Sequence, residues 1–290
     1  MKWLEITITT TPAAVEAVGD LLYQSRVGGI EEIPVGEDRV RIRAYVPAGP
    51  ATGATLDAIR AGLHALPRFG LEIGEGTVVT VEVDEEAWAE AWKAHVRAFA
   101  VGRRLWITPT WDRTPPPAGM VVVEIDPGMA FGSGLHASTQ LCLEVLDEMM
   151  APGATVVDVG TGSGILAIAA AKLGAARVLA VDTDPVAVAV ARQNVAHNGM
   201  APVVEVREGN LLAGVRPPAD VILANLTAAL HLALLPDVRP HLALEGIVAA
   251  SGITAPRLPE VERAARASGL TPRRLLRSGE WRCLVLAAEG

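Results

Sequence analysis

Hydrophobic and polar positions follow two rhythms along this chain. In the first 83 residues the apolar positions come in short alternating runs. "KWLEITITT" alternates with period two and predicts a strand. "PAAVEAVGDLLYQSRV" has helical spacing and is entered through Thr11-Pro12, with Thr11 a candidate N-cap. "GIEEIPV" and "DRVRIRAYV" predict a strand pair around "GED". Leu56, Ile59, Leu63 and Leu66 space a second helix, and "TVVTVEV" closes with a strand. The order βαββαβ is the split, ferredoxin-like α+β arrangement.

The segment 84–98 reads as a linker helix. Asp84 can cap it, and Trp88, Trp92, His95 and Phe99 fall on one helical stripe suited to packing between domains. His95 on that stripe reads as a packed histidine. "RRLWITPTW" predicts a strand and "DRTPPPAG" a stiff loop. From Met120 onward strands and helices alternate: "MVVVEID", "ASTQLCLEVLDEMM", "ATVVDVG", "GILAIAAAKLG", "RVLAVDTD", "PVAVAVARQNVAHNG", "PVVEVREG", "ADVILANL", "TAALHLALLPDVRPHL", "GIVAASGI", "RLPEVERAARASG" and two strands around "SGEW". That pattern predicts an α/β doubly wound, seven-stranded Rossmann-like sheet over residues 99–290.

Composition narrows the function classes. Half of the 290 residues are hydrophobic and 20% are charged, which supports packed cores. The net charge of −8 disfavours sequence-independent nucleic-acid binding, which needs clustered Lys and Arg. Arg39, Arg41 and Arg43 alternate on one predicted strand beside Tyr45, without the aromatic set of an RNA-binding sheet; they form a solvated face or a protein-docking one. Cys142 and Cys283 read as buried hydrophobes of a reducing compartment. No signal-peptide pattern opens the chain and charges interrupt its apolar runs, so the expectation is a cytoplasmic protein off the membrane.

The chemistry concentrates at "VVDVGTGSGIL". Gly160, Gly162 and Gly164 read G-x-G-x-G, with the third glycine misplaced for a dinucleotide fingerprint, and no Gly-Lys-Ser/Thr follows to make a P-loop. One strand later, Asp182 in "VLAVDTD" stands where a carboxylate accepts hydrogen bonds from ribose hydroxyls. A glycine turn, a ribose acid and no phosphate cradle suit a nucleoside without phosphates, and S-adenosylmethionine fits. "DPGMAFGSGLH" carries Gly128, Gly132 and Gly134 and reads as a lid in which Phe131 can cover the cofactor. His136 serves either as a base or at the entry of the next helix. Asn225 in "ANLT" ends a strand where its side-chain carbonyl can accept from a substrate nitrogen; related enzymes acting on planar amides or adenines carry Asn-Pro-Pro-aromatic at this point, and Leu226-Thr227 here argues against such substrates.

"DPGMAFGSGLHASTQLCL", "VVDVGTGSGILAIAAAKLGA", "AVDTDPVAV", "NVAHNGM", "VILANLTA", "SGI" and "GEW" occur in order. Together they resemble the bacterial ribosomal protein L-eleven (L11) methyltransferases of the PrmA type. The resemblance implies S-adenosylmethionine-dependent methylation of lysine side chains and of the N-terminal amine of that ribosomal protein. It implies cofactor contacts at Thr139, Gly160, Asp182 and Asn225, with Gly162 in the same turn and Asn225 also the catalytic candidate. It makes residues 1–83 a substrate-recognition domain, 84–98 a linker and 99–290 the methyltransferase domain. The family's usual "GTGTH" reads "GSGLH" here, and its Thr-Thr pair reads Ser138-Thr139. The partner expected is ribosomal protein L11, with no sequence-specific nucleic-acid binding, no metal, and a monomeric chain. A methyltransferase acting on another amine and a non-catalytic binding module are the competing readings.

Overall fold

The computed structural model of the chain describes residues 2–25, 27–36, 38–50, 52–69, 71–84, 97–126, 134–216 and 218–288. Two compact units divide it, Met1–His95 and Val96–Gly290. The linker stripe Trp88, Trp92 and His95 lies outside the described residues, as does Phe131. Asp84 closes a strand.

In the first unit β1 (Lys2–Thr10), α1 (Val15–Gln24), β2 (Gly28–Pro34), β3 (Val40–Pro47), α2 (Thr52–Ala65) and β4 (Val78–Asp84) follow one another. The sheet order is β2-β3-β1-β4, with every neighbour antiparallel. Alternation fixes its register. Ile6 faces Ala44 and Ile8 faces Ile42 across the β1–β3 ladder, and all four pack with Val18, Leu22, Ile59 and Leu63 of the helices. The other face carries Glu5, which pairs with Arg43 (3.5 Å) and accepts from the Tyr45 hydroxyl (3.1 Å), while Arg41 is exposed. Thr11 makes no side-chain cap; its hydroxyl donates to the carbonyl of Glu72.

In the second unit β5 (Phe99–Val101), β6 (Leu105–Pro109) and β7 (Val121–Ile125) form a small sheet of their own. Helices α3 (Ala137–Met149), α4 (Ile165–Lys172), α5 (Pro185–His197), α6 (Ala228–Val238) and α7 (Leu258–Ala267) accompany the main sheet of β8 (Thr155–Val159), β9 (Arg177–Asp182), β10 (Val204–Glu208), β11 (Ala219–Asn225), β12 (Leu242–Thr254), β13 (Leu270–Ser278) and β14 (Trp281–Ala288). Its order is β10-β9-β8-β11-β12-β14-β13, and β14 alone runs antiparallel to its neighbours among otherwise parallel ladders. The strand read from "MVVVEID" therefore pairs with β6 and stays out of the main sheet.

Near-continuous apolar strands are what a sheet covered on both faces requires. Val156, Val178, Leu223, Ala249 and Val285 point into one core with α3, α4 and α5. Their neighbours Val157, Leu179, Ile222, Val248 and Leu284 point into the other with α6 and α7. Helix α4 is apolar on every side and buried from Ile165 to Ala171, so periodicity alone could not orient it. The two cores place the ends of β8 and β11 side by side, where the strand order reverses.

Candidate functional site

A cleft at that reversal is lined by Thr139, Gly160, Thr161, Gly162, Ile165, Leu166 and Asn225. Open α/β sheets bind ligands at such switch points, beyond the carboxyl ends of the strands. Gly160, Gly162 and Gly164 all take positive φ, +72°, +55° and +86°. Such a backbone is strained for residues with a Cβ. Gly164 also needs its missing side chain for space, because a Cβ there would lie 3.3 Å from the Cα of Ala191 on α5.

Hydrogen bonds fix this turn from several sides. Gly160 and Thr161 donate their backbone N–H groups to the carbonyl of Val181 (2.8 and 3.1 Å). Gly162 N–H donates to Asp182 Oδ2 (2.9 Å), and Asp184 N–H to Asp182 Oδ1 (3.0 Å). Asp182 thus organises the turn as well as standing at the strand end. A carboxylate has about four acceptor sites, so each of its oxygens retains capacity for a ligand hydroxyl.

Beneath the turn, Asp158 is fully buried. Its Oδ2 accepts from the Thr161 hydroxyl (2.6 Å) and from the Ala167 N–H (3.2 Å). Its Oδ1 has no partner among the described residues. Burial raises the Asp158 pKa to about 7; the two hydrogen bonds oppose that rise and the charge of Asp182 adds to it.

The opposite wall comes from α3 and β11. Asn225 Nδ2 donates to Thr139 Oγ1 (3.0 Å). Ser251 Oγ donates to the carbonyl of Ser138 (2.8 Å), and His231 Nε2 to the carbonyl of Ser251 (2.8 Å). Burial lowers the His231 pKa to about 4, so this histidine is a neutral support behind the wall. At the start of α3, His136 accepts from the Ser138 N–H and lies edge-on to Trp281, with ring centroids 4.6 Å apart. Desolvation lowers its pKa. Of the two roles open to it, the structure displays helix entry.

Of the residues singled out from sequence, Thr139, Gly160, Gly162 and Asn225 line one cleft, and Asp182 joins them through Gly162. Sequence reasoning passed over Ser251 and His231 as supports of that wall, and Ser138 entered it only as the first member of the Ser138-Thr139 pair. Their signal, serines and a histidine inside apolar runs, is common in cores. Among the described residues no group of three His, Cys, Asp or Glu can hold a metal ion, and no helix is long and apolar enough to cross a membrane.

A Rossmann-like mixed sheet with an acid before a glycine turn, a second acid one strand on and a polar strand-end asparagine defines the methyltransferase class. Within it, the profile described as "Ribosomal protein L11 methyltransferase (PrmA)" matches residues 2–289, and the chain belongs to that family. A ribosomal protein L11 methyltransferase from Alkaliphilus oremlandii is 38% identical, with 100% of both chains covered. One from Bacillus cytotoxicus is 39% identical over 98% of this chain and 99% of its own. The crystal structure of a ribosomal protein L11 methylase from Lactobacillus delbrueckii subsp. bulgaricus is 37% identical and superposes with a TM-score of 0.63, covering 67% of this chain and 100% of that one.

Proposed function

We propose that this chain transfers methyl groups from S-adenosylmethionine to amines of ribosomal protein L11, both lysine side chains and the N-terminal amine. The observation that carries the reading is the Asn225–Thr139 pair facing the glycine turn across one cleft, in a chain that matches the L11 methyltransferase family over nearly its full length.

The residues present fit the cofactor. The turn offers bare backbone without a cationic phosphate cradle, Asp182 keeps acceptor capacity for a ribose, and Asp158 holds an unpartnered oxygen below. When bound, S-adenosylmethionine supplies a methyl group on a sulfonium, open to in-line displacement. Gly160 and Gly162 let the ligand lie against the backbone, Asp182 holds the ribose, and Thr139 and Asn225 form the far wall.

A lysine with pKa about 10.4 attacks only after losing its proton. Asn225, its Nδ2 committed to Thr139, turns its Oδ1 to accept from the incoming neutral amine and aligns the nitrogen lone pair. Alignment of this kind supplies much of the rate in such displacements. The proton leaves to solvent. Residues 1–83 form a ferredoxin-like recognition domain, joined through the linker 84–98 to the methyltransferase domain 99–290. Its sheet face opposite the helices supports that role: Val79 and Val81 are 51% and 52% exposed and pair with Thr7 and Glu5. The chain acts as a monomer in the cytoplasm.

Incubation of unmethylated L11 with this chain and S-adenosylmethionine, followed by intact-mass spectrometry, tests the reading. Increments of one CH2 unit per transfer are expected on lysines or the N-terminus. Asn225→Ala should lower kcat by about 100-fold, the scale of one lost transition-state hydrogen bond, and by more than it weakens cofactor binding. No mass change, with the cofactor shown to bind, would move the target to another amine.

A further inference from the structure

We propose that Asn194 is a positioning residue for the cofactor cleft, one that locks the glycine turn to the end of β7. This rests on the cleft being the S-adenosylmethionine site. Helix α5 lies beside the edge of β7 that β6 does not pair, and it meets that edge with two asparagines one turn apart. Asn198 Oδ1 accepts from the Glu124 N–H (3.1 Å), and Asn198 Nδ2 donates to the Glu124 carbonyl (2.7 Å). Asn194 Oδ1 accepts from the Asp126 N–H (3.1 Å), and Asn194 Nδ2 donates to the Asp126 carbonyl (2.9 Å).

Each side-chain amide thus replaces the C=O and N–H that a neighbouring strand would present. The spacings agree: four residues of helix rise about 6 Å, and two residues of strand rise about 6.6 Å. Both asparagines are largely buried, at 3% and 9% exposure, so the bonds are shielded from water.

Asn194 then does something Asn198 does not. Its Nδ2 also donates to the carbonyl of Ser163 (2.9 Å), which sits between Gly162 and Gly164 and is fully buried. The turn is consequently held at adjoining residues, by Asp182 at the Gly162 N–H and by Asn194 at the Ser163 carbonyl. The same amide grips Asp126, the last residue before 127–133 in the chain. One side chain therefore ties the backbone that faces the cofactor to the strand that leads into the "PGMAFGS" segment. Asn198 holds the same strand without touching the turn, its second donor bond going to the Asn194 carbonyl (2.8 Å), and is the natural control.

Calorimetric titration of the full chain with S-adenosylmethionine separates the two. Asn194→Ala should raise Kd about 10-fold, the worth of one buried hydrogen bond, and Asn198→Ala should leave it within about twofold, although both lose bonds to β7 and similar stability. Equal shifts in Kd for the two variants would overturn the proposal and leave Asn194 a strand-edge cap. Residue-resolved hydrogen exchange of the unaltered chain tests the same point with no variant to fold. Cofactor should slow exchange of the Asp126 amide, which donates to Asn194, far more than that of the Glu124 amide, which donates to Asn198. Equal slowing contradicts the proposal. Failure of the unaltered chain to bind cofactor at all overturns the functional reading and this inference together, and is told apart from the other outcomes by the unaltered protein alone.

Discussion

The two units bury polar groups very differently. In the first, Thr10 is the buried polar residue among those described, apart from the amphipathic Trp3 and Tyr45. In the second, Ser138, Thr139, Asp158, Thr161, Ser163, Asn194 and Ser251 are all buried, and they gather around the ends of β8 and β11. Burying polar groups costs stability unless each finds a partner. The second unit bears that cost where the strand order reverses and gains a preorganised wall and turn. The first spends its sheet on a plain apolar core and leaves Val79, Val81 and Arg41 outward. Chemistry and target recognition thus fall to separate parts of the chain, under the function proposed above.

The contrast can be broken in a graded way. The largest effect is expected at Asp158. Its carboxyl holds a proton up to about pH 7 in the folded chain, against about 3.9 when unfolded. Between those values the folded state binds more protons, so stability falls as pH rises from about 4 to about 7 and levels off above. Asp158→Asn should remove that slope, a change on the order of 3 kcal/mol between pH 5 and pH 8, as read from denaturant midpoints at those two values. A variant with the same slope as the parent would place the cost elsewhere. Asp182→Ala should weaken S-adenosylmethionine binding by roughly 100-fold, or about 3 kcal/mol, because a carboxylate acceptor is lost and the Gly162 N–H is left without its partner; near-normal calorimetric affinity would refute its role. Gly164→Ala should cost about 1–3 kcal/mol in thermal or chemical unfolding, since φ is +86° and the new methyl meets Ala191. Smallest of all, Arg41→Ala on the exposed face of the first unit should shift stability by less than about 0.5 kcal/mol. A larger shift would show that this face is built into the fold.

Much of this arrangement was legible from the pattern of residues, for a physical reason. Period-two alternation in "KWLEITITT" and the unbroken apolar run of "VVDVG" follow from one or two covered sheet faces, and both are strands. Gly160, Gly162 and Asn225 were legible because glycine turns and strand-end asparagines have few other uses together. What stayed hidden depends on partners far away in sequence. Thr11 looks like a cap but bonds to Glu72, 61 residues on. β7 looks like a strand of the main sheet, yet asparagine side chains 68 to 74 residues later occupy its edge. Asn194 and Asn198 themselves look like the polar side of an amphipathic helix. A fully buried α4 has no moment to read, and Asp182 gave no sign that it holds Gly162.

The division of labour has one direct measurement. A fragment beginning at Val96 is compared with the full chain for S-adenosylmethionine affinity by calorimetry and for L11 methylation by intact mass. The account predicts cofactor affinity within about threefold of the full chain and no mass increment on L11. Methylation of L11 by the fragment at the full chain's rate would contradict it and return target recognition to the unit that carries the chemistry.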